Sequence, residues 1–198
     1  MPGFEEVQAY LRGLWLLVRG DRTGFAFLDL SPRGSLRSFW AIIWCLPPIF
    51  ISWYWIRASY LDAMPEGTPA GGLFVFRLAL SELFGWIVPV LLTGLVCALA
   101  GLGNRFNALV ASINWLSVPF AYGNGLLLVL MVLLPSLPGL AAFLWLILLG
   151  TVVISMERVF RMICGPHTLL IVTLVLVQIV PVLMLSDWMD RFLGIAAP

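Results

Sequence analysis

The chain has 198 residues with a net charge of +1, is 62% hydrophobic and only 11% charged, and its mean hydropathy is +1.04. Soluble domains carry about 25% charged residues, so this composition leaves too little polar surface to clothe a water-soluble core. The near-neutral balance excludes nucleic acid and acidic substrates as partners.

The apolar runs are continuous rather than alternating, so they imply helices in a bilayer and not an outer-membrane barrel of short alternating strands. The expected fold is all-α: a polytopic bundle of five transmembrane helices preceded by an amphipathic N-terminal helix. All 11 basic side chains other than His167 are arginines, a bias that points to genome composition. Cys45, Cys97 and Cys164 are far apart and odd in number, so they read as packing residues rather than a disulfide or metal framework.

Residues 1–35 form an expected cytoplasmic, interfacial segment. Within 3–20, Phe4, Val7, Leu11, Leu14, Trp15 and Val18 recur at spacings of three and four, which makes one apolar stripe. Glu5, Glu6, Gln8, Arg12 and Arg19 take the other faces. Arg12 interrupts the apolar core, so this helix does not span. It either lies in the interface or docks on the bundle, and nothing local separates the two. Asp21–Gly24 breaks it, and FAFLDL follows as an apolar connector. Ser31-Pro32 is a helix start, a capping serine followed by a first-turn proline.

Residues 36–198 form the membrane domain, with expected spans at about 36–56, 73–102, 108–134, 140–162 and 166–185. The first span contains Pro47-Pro48, where a bend is expected, and has tryptophans towards its ends. A loop over 57–72 and a tight connector over 101–107 flank the second span. The third contains Pro119 and Gly123-Asn124-Gly125. Splitting it there leaves only ten residues for a crossing, so one kinked span is expected. Pro135–Gly139 is a turn, and Gly165-Pro166 separates the last two spans.

With five spans, Arg12, Arg19, Arg22, Arg33, Arg37, Arg105, Arg158 and Arg161 fall on one side. Arg57 and Arg191 fall on the other, with Arg77 near that surface. The positive-inside rule then puts the N-terminus in the cytoplasm and the C-terminus outside or in a lumen; the expected location is a bacterial inner membrane.

Arg77 and Glu82, both in the second span, are the first functional candidates, because ionisable groups in a membrane are costly and usually serve a purpose. Five positions rotate a helix by about 140°, so the two face different ways. Arg77 is expected to reach outward to Asp62, Asp187 or Asp190, and Glu82 to lie at the hydrocarbon boundary. Thr93, Asn114, Ser117, Tyr122, Asn124, Thr151, Ser155 and Gln178 form a neutral polar set that would either line a cavity or bond helices together. Asn114, Asn124 and Gln178 are the transport candidates among them. Gly94, Ala98 and Gly101 suggest a close helix-packing face. Arg158, Arg161 and His167, at the cytoplasmic end of the fourth span and the start of the fifth, are candidates for contact with anionic lipid headgroups. No catalytic motif is present, and no cofactor or metal is expected.

The approach to the first span, LSPRGSLRSFWAIIWCLPP, and the proline-broken third span, SINWLSVPFAYGNGLLLVLMVLLPSLPG, resemble bacterial members of the Yip family of five-span membrane proteins. That resemblance implies a cytoplasmic N-terminal segment followed by five spans; it carries no residue role. Two functions fit. One is a non-enzymatic scaffold or accessory subunit, with the lipid bilayer, other membrane proteins or a second copy as partners. The other is a small transporter or channel with a polar path involving Glu82.

Overall fold

A computed structural model describes residues 2–134, 136–192 and 194, with backbone alone for Pro138, Ser186, Asp187, Met189 and Asp190. The turn expected around Pro135 therefore lies partly outside the described residues, and so do the side chains of Asp187 and Asp190. The chain is 84% helical, with no strand among the described residues. Among the described residues seven helices follow in order: α1 Phe4–Val18, α2 Pro32–Ser38, α3 Ala41–Ala63, α4 Gly72–Leu99, α5 Phe106–Leu133, α6 Pro138–Cys164 and α7 Thr168–Phe192. Five of their segments are long and apolar enough to cross a membrane, the first made of α2 and α3 together.

Local sequence explains most helix ends. Ser31 Oγ accepts from the Gly34 amide at 3.1 Å with Pro32 in the first turn, so α2 starts where the capping pattern puts it. Gly101 and Gly165 adopt φ +69° and +84°, left-handed turns that glycine enters without a Cβ clash. Gly101 therefore makes a turn rather than a packing face. Ala98 is exposed, while Gly94 meets the Phe106 ring. The buried face of α4 runs instead through Pro89, Thr93 and Cys97. The first loop is also shorter than expected. α3 continues past Arg57 to Ala63, and Arg57 Nε donates to the Ala70 carbonyl at 2.9 Å. This arginine pins the loop back onto α3.

α5 is the centre of the bundle and touches α1, α2, α3, α4 and α6. It runs unbroken through Pro119 and Gly123-Asn124-Gly125. The two glycines are notches. A Cβ on Gly125 would stand 2.9 Å from the Pro48 Cβ of α3, and one on Gly123 would stand 2.9 Å from Leu148 Cδ1 of α6. Their absent side chains let three helices approach closely, as small residues do in membranes.

α1 docks on the bundle. Val7, Tyr10, Leu14 and Leu17 are buried in the main core with Leu109, Phe160 and Ile163, and Tyr10 packs on Trp115 with ring centroids 4.8 Å apart. The expected stripe is thus only half right, since Phe4 and Trp15 are exposed. The helix has two adjacent apolar faces, one on the protein and one left open. Two arginines fasten it. Arg37 Nη2 meets Glu6 Oε1 at 2.8 Å, and Arg158 Nη1 donates to the Val18 carbonyl at 2.8 Å, a cation on a helix C-terminus. Behind α1, residues Arg22–Phe27 form a 3-10 turn whose Gly24 presses on Gly13.

A polar cleft between α3, α4, α5 and α7

α4 and α7 pack along a common seam. Near the middle of that seam the Gln178 amide donates to Thr93 Oγ1 at 2.6 Å and to the Pro89 carbonyl at 3.4 Å. Thr93 Oγ1 itself donates to Pro89 O at 2.8 Å. Thr93 and Gln178 are both buried, at 0% and 6% exposure, so these bonds satisfy polar groups that lipid could not. Pro89 has no amide hydrogen, which leaves the Gly85 carbonyl without its intrahelical donor. Gly85 has no side chain either, and a Cβ built there meets nothing within 4 Å. Proline and glycine together open the wall of the helix at this point.

Two cavities meet at that opening. The larger, about 230 Å³, is lined by Ser52 and Trp53 of α3, Ser81 and Glu82 of α4, and Val182 and Leu185 of α7, among others. The smaller, about 150 Å³, is lined by Pro89 of α4, Asn114 and Ser117 of α5, Met156 of α6 and Gln178 of α7, among others. Gly85, Trp86 and Val182 belong to both. Glu82 is ten residues from the start of α4, and Gln178 is ten from the start of the antiparallel α7. At 1.5 Å per residue each lies roughly 15 Å from an opposite end of the bundle.

Within the larger cavity the indole N–H groups of Trp53 and Trp86 are the donors that face the Glu82 carboxylate. Leu78, Trp53 and Ile56 also belong to a small apolar cluster with Ala70 and Phe74 that ties α3 to α4 at the end away from α1. In the smaller cavity Asn114 Nδ2 donates to Ser38 Oγ at 2.8 Å, and Ser38 Oγ to the Ser35 carbonyl at 2.6 Å. That chain locks α2 to α5. Ser117 Oγ donates to the Asn114 carbonyl at 2.6 Å and sits 3.7 Å from Cys45 Sγ.

Of the transport candidates, Glu82 lines the larger cavity, and Asn114 and Gln178 line the adjoining smaller one. Asn124 lines neither. It faces a separate, mostly apolar groove of about 460 Å³ with Leu127, Leu128 and Met131 of α5 and Trp145 of α6. Nor does Arg77 line them. It forms no ion pair with Glu82, and its Nη1 approaches Gly194, 3.5 Å from where a Cβ would stand. Tyr122 is exposed, and Thr151 turns back to its own helix, donating to Ile147 O at 2.8 Å.

The headgroup candidates divide similarly. Arg161 pairs with Glu157 at 2.5 Å, Arg158 holds α1, and His167 is exposed. Among the described residues no three His, Cys, Asp or Glu side chains are grouped to hold a metal.

Sequence reasoning missed Ser38, Ser52, Trp53, Ser81 and Trp86. A signal was available on α4, because Leu78, Glu82, Gly85, Trp86, Pro89 and Thr93 follow spacings of three and four and so share one face. Compared with protein-family models, curated proteins and solved structures, the chain matches none.

Proposed function

We propose that the protein binds and passes a small polar solute through the membrane, as a transporter or channel without enzymatic activity, and that the solute occupies the cleft between α3, α4, α5 and α7. The observation that supports this most is that two neighbouring cavities share Gly85, Trp86 and Val182 in their linings, one of them bearing Glu82 and the other Gln178. α4 stays helical through Pro89, and a backbone carbonyl freed by such a proline is tolerated in lipid only where it lines a cavity or meets protein. A scaffold or accessory subunit needs no such cleft and leaves it unexplained. The Yip-type resemblance supports the layout, an N-terminal segment followed by five spans, and is neutral about the solute.

Water access to the cleft tests the proposal. In proteoliposomes, Ser81→Cys and Gly85→Cys, on a background with the three native cysteines replaced by serine, are expected to react with membrane-impermeant thiol reagents. Leu91→Cys, on the open face of α4 at 65% exposure, is expected to stay unreactive in lipid. Equal, negligible labelling of all three positions would overturn the cleft as a solute path.

A further inference from the structure

From the chemistry of the larger cavity we infer that its ligand is a compact organic ammonium ion, with the Glu82 carboxylate as counter-ion. The proposal rests on the cleft being a solute path and adds the class of solute. Among the described residues Glu82 is the one ionisable side chain of the cavity lining; Arg77, five residues away, reaches towards Gly194 and is not part of that lining. An anion is therefore repelled, and a cation gains a partner that lipid cannot supply.

The remaining walls decide which kind of cation. Ca²⁺ takes six to eight oxygens and Mg²⁺ a near-octahedral set. Among the described residues the cavity offers the Glu82 carboxylate, the hydroxyls of Ser52 and Ser81 and the carbonyl freed at Gly85, fewer oxygens than Ca²⁺ takes. Such a set is too poor for a hard ion. The indoles of Trp53 and Trp86 and the aliphatic side chains of Ile56, Leu78, Val182 and Leu185 supply the rest of the surface. Aromatic and aliphatic walls around one carboxylate suit a weakly hydrated cation that carries its own apolar body. The indoles of Trp53 and Trp86 stand beside the carboxylate without adding positive charge. With about 230 Å³ available, roughly eight waters' share at about 30 Å³ each, the site admits a small amine or quaternary ammonium and not a bulky polycyclic one.

Choline and its neutral isostere 3,3-dimethylbutan-1-ol have the same shape and differ in charge, so they isolate the contribution of Glu82. With the full chain in nanodiscs, choline is expected to bind saturably in calorimetric titration, and the isostere at least about tenfold more weakly. Glu82→Gln should weaken choline by a similar factor and leave the isostere unchanged, Glu82→Asp should retain part of the affinity, and Arg77→Gln should have little effect. Because the isostere comparison uses the unaltered protein, it decides the matter even where Glu82→Gln fails to fold. Equal binding of the two compounds, or no choline binding while Ser81→Cys still reacts with thiol reagents, would overturn the ammonium assignment and leave the cleft standing. Absence of both labelling and binding would remove the cleft with it.

Discussion

α4 and α5 are both 28 residues long, each contains one proline, and their spans have mean hydropathies of 2.0 and 1.9. They do opposite jobs. α5 buries ten residues, among them every position from Leu109 to Leu116; Asn114 and Ser117 are hydrogen-bonded to serine and backbone, while the buried Ser112 hydroxyl has no protein partner among the described residues. α4 buries five, presents Leu91, Leu95 and Leu99 outward, and turns its polar face to a cavity. Their glycines show the same contrast, since Gly125 is jammed against Pro48 and Gly85 has open space. Hydropathy measures how well a helix suits lipid. It does not distinguish a hub from a lining.

Substitutions at the two glycines break or sharpen that contrast most directly. Gly125→Leu has to separate α3 from α5 and is expected to cost about 3 kcal/mol, at the upper end for overpacking. A large fall in the melting temperature of detergent-solubilised protein would show it; a melting temperature near that of the native protein would mean that α5 is not the packed centre. Next comes Asn114→Ala, which removes the bond tying α5 to Ser38 of α2 and should cost about 1 kcal/mol in the same measurement. Asn114 also lines the cleft, so its loss should alter flux as well, which no purely packed α5 residue should do.

A comparable, pH-dependent effect is expected where α1 docks. The Tyr10 phenol, packed against Trp115 and bonded to Glu6, is pushed from 10.0 up to about 12, first by burial and then by the hydrogen bond and charge of Glu6. The folded state holds this proton more tightly than the unfolded chain. Its contribution is therefore complete below pH 10 and is lost as pH rises towards 12. Tyr10→Phe should lower stability by about 1 kcal/mol near neutrality and flatten the alkaline decline. A decline of unchanged steepness in Tyr10→Phe would assign it to other groups.

The smallest effect on stability belongs to Gly85→Ala, expected within about 0.5 kcal/mol of the native protein because nothing stands near the added methyl. Its effect on flux should be larger, since the methyl enters the junction of the two cavities. Unaltered flux would move the path elsewhere.

Much of the fold is legible in the residues because it depends on local quantities. Helix length, apolarity and turn chemistry fix the spans; Ser31-Pro32, Gly101 and Gly165 mark boundaries through capping and φ preferences that their neighbours barely alter. The unlike faces of Arg77 and Glu82 follow from helical geometry alone. The site is legible only in part. Glu82, Asn114 and Gln178 stand out because polar groups in apolar runs are costly, but so does Asn124, which lies in another groove. Nothing in their spacing says which helices adjoin.

The sequence by itself determined that this is a membrane helix bundle with an amphipathic leading helix and one prominent intramembrane carboxylate, since transfer to lipid is scored residue by residue. Only the tertiary structure decided that α5 is the hub, that α1 buries Tyr10 and Leu17 instead of Phe4 and Trp15, and that Gly85 and Pro89 open a wall where two cavities join. Those outcomes depend on which surfaces meet. In lipid, close packing and the pairing of polar groups choose the neighbours, and both are properties of pairs of helices rather than of any one stretch of chain.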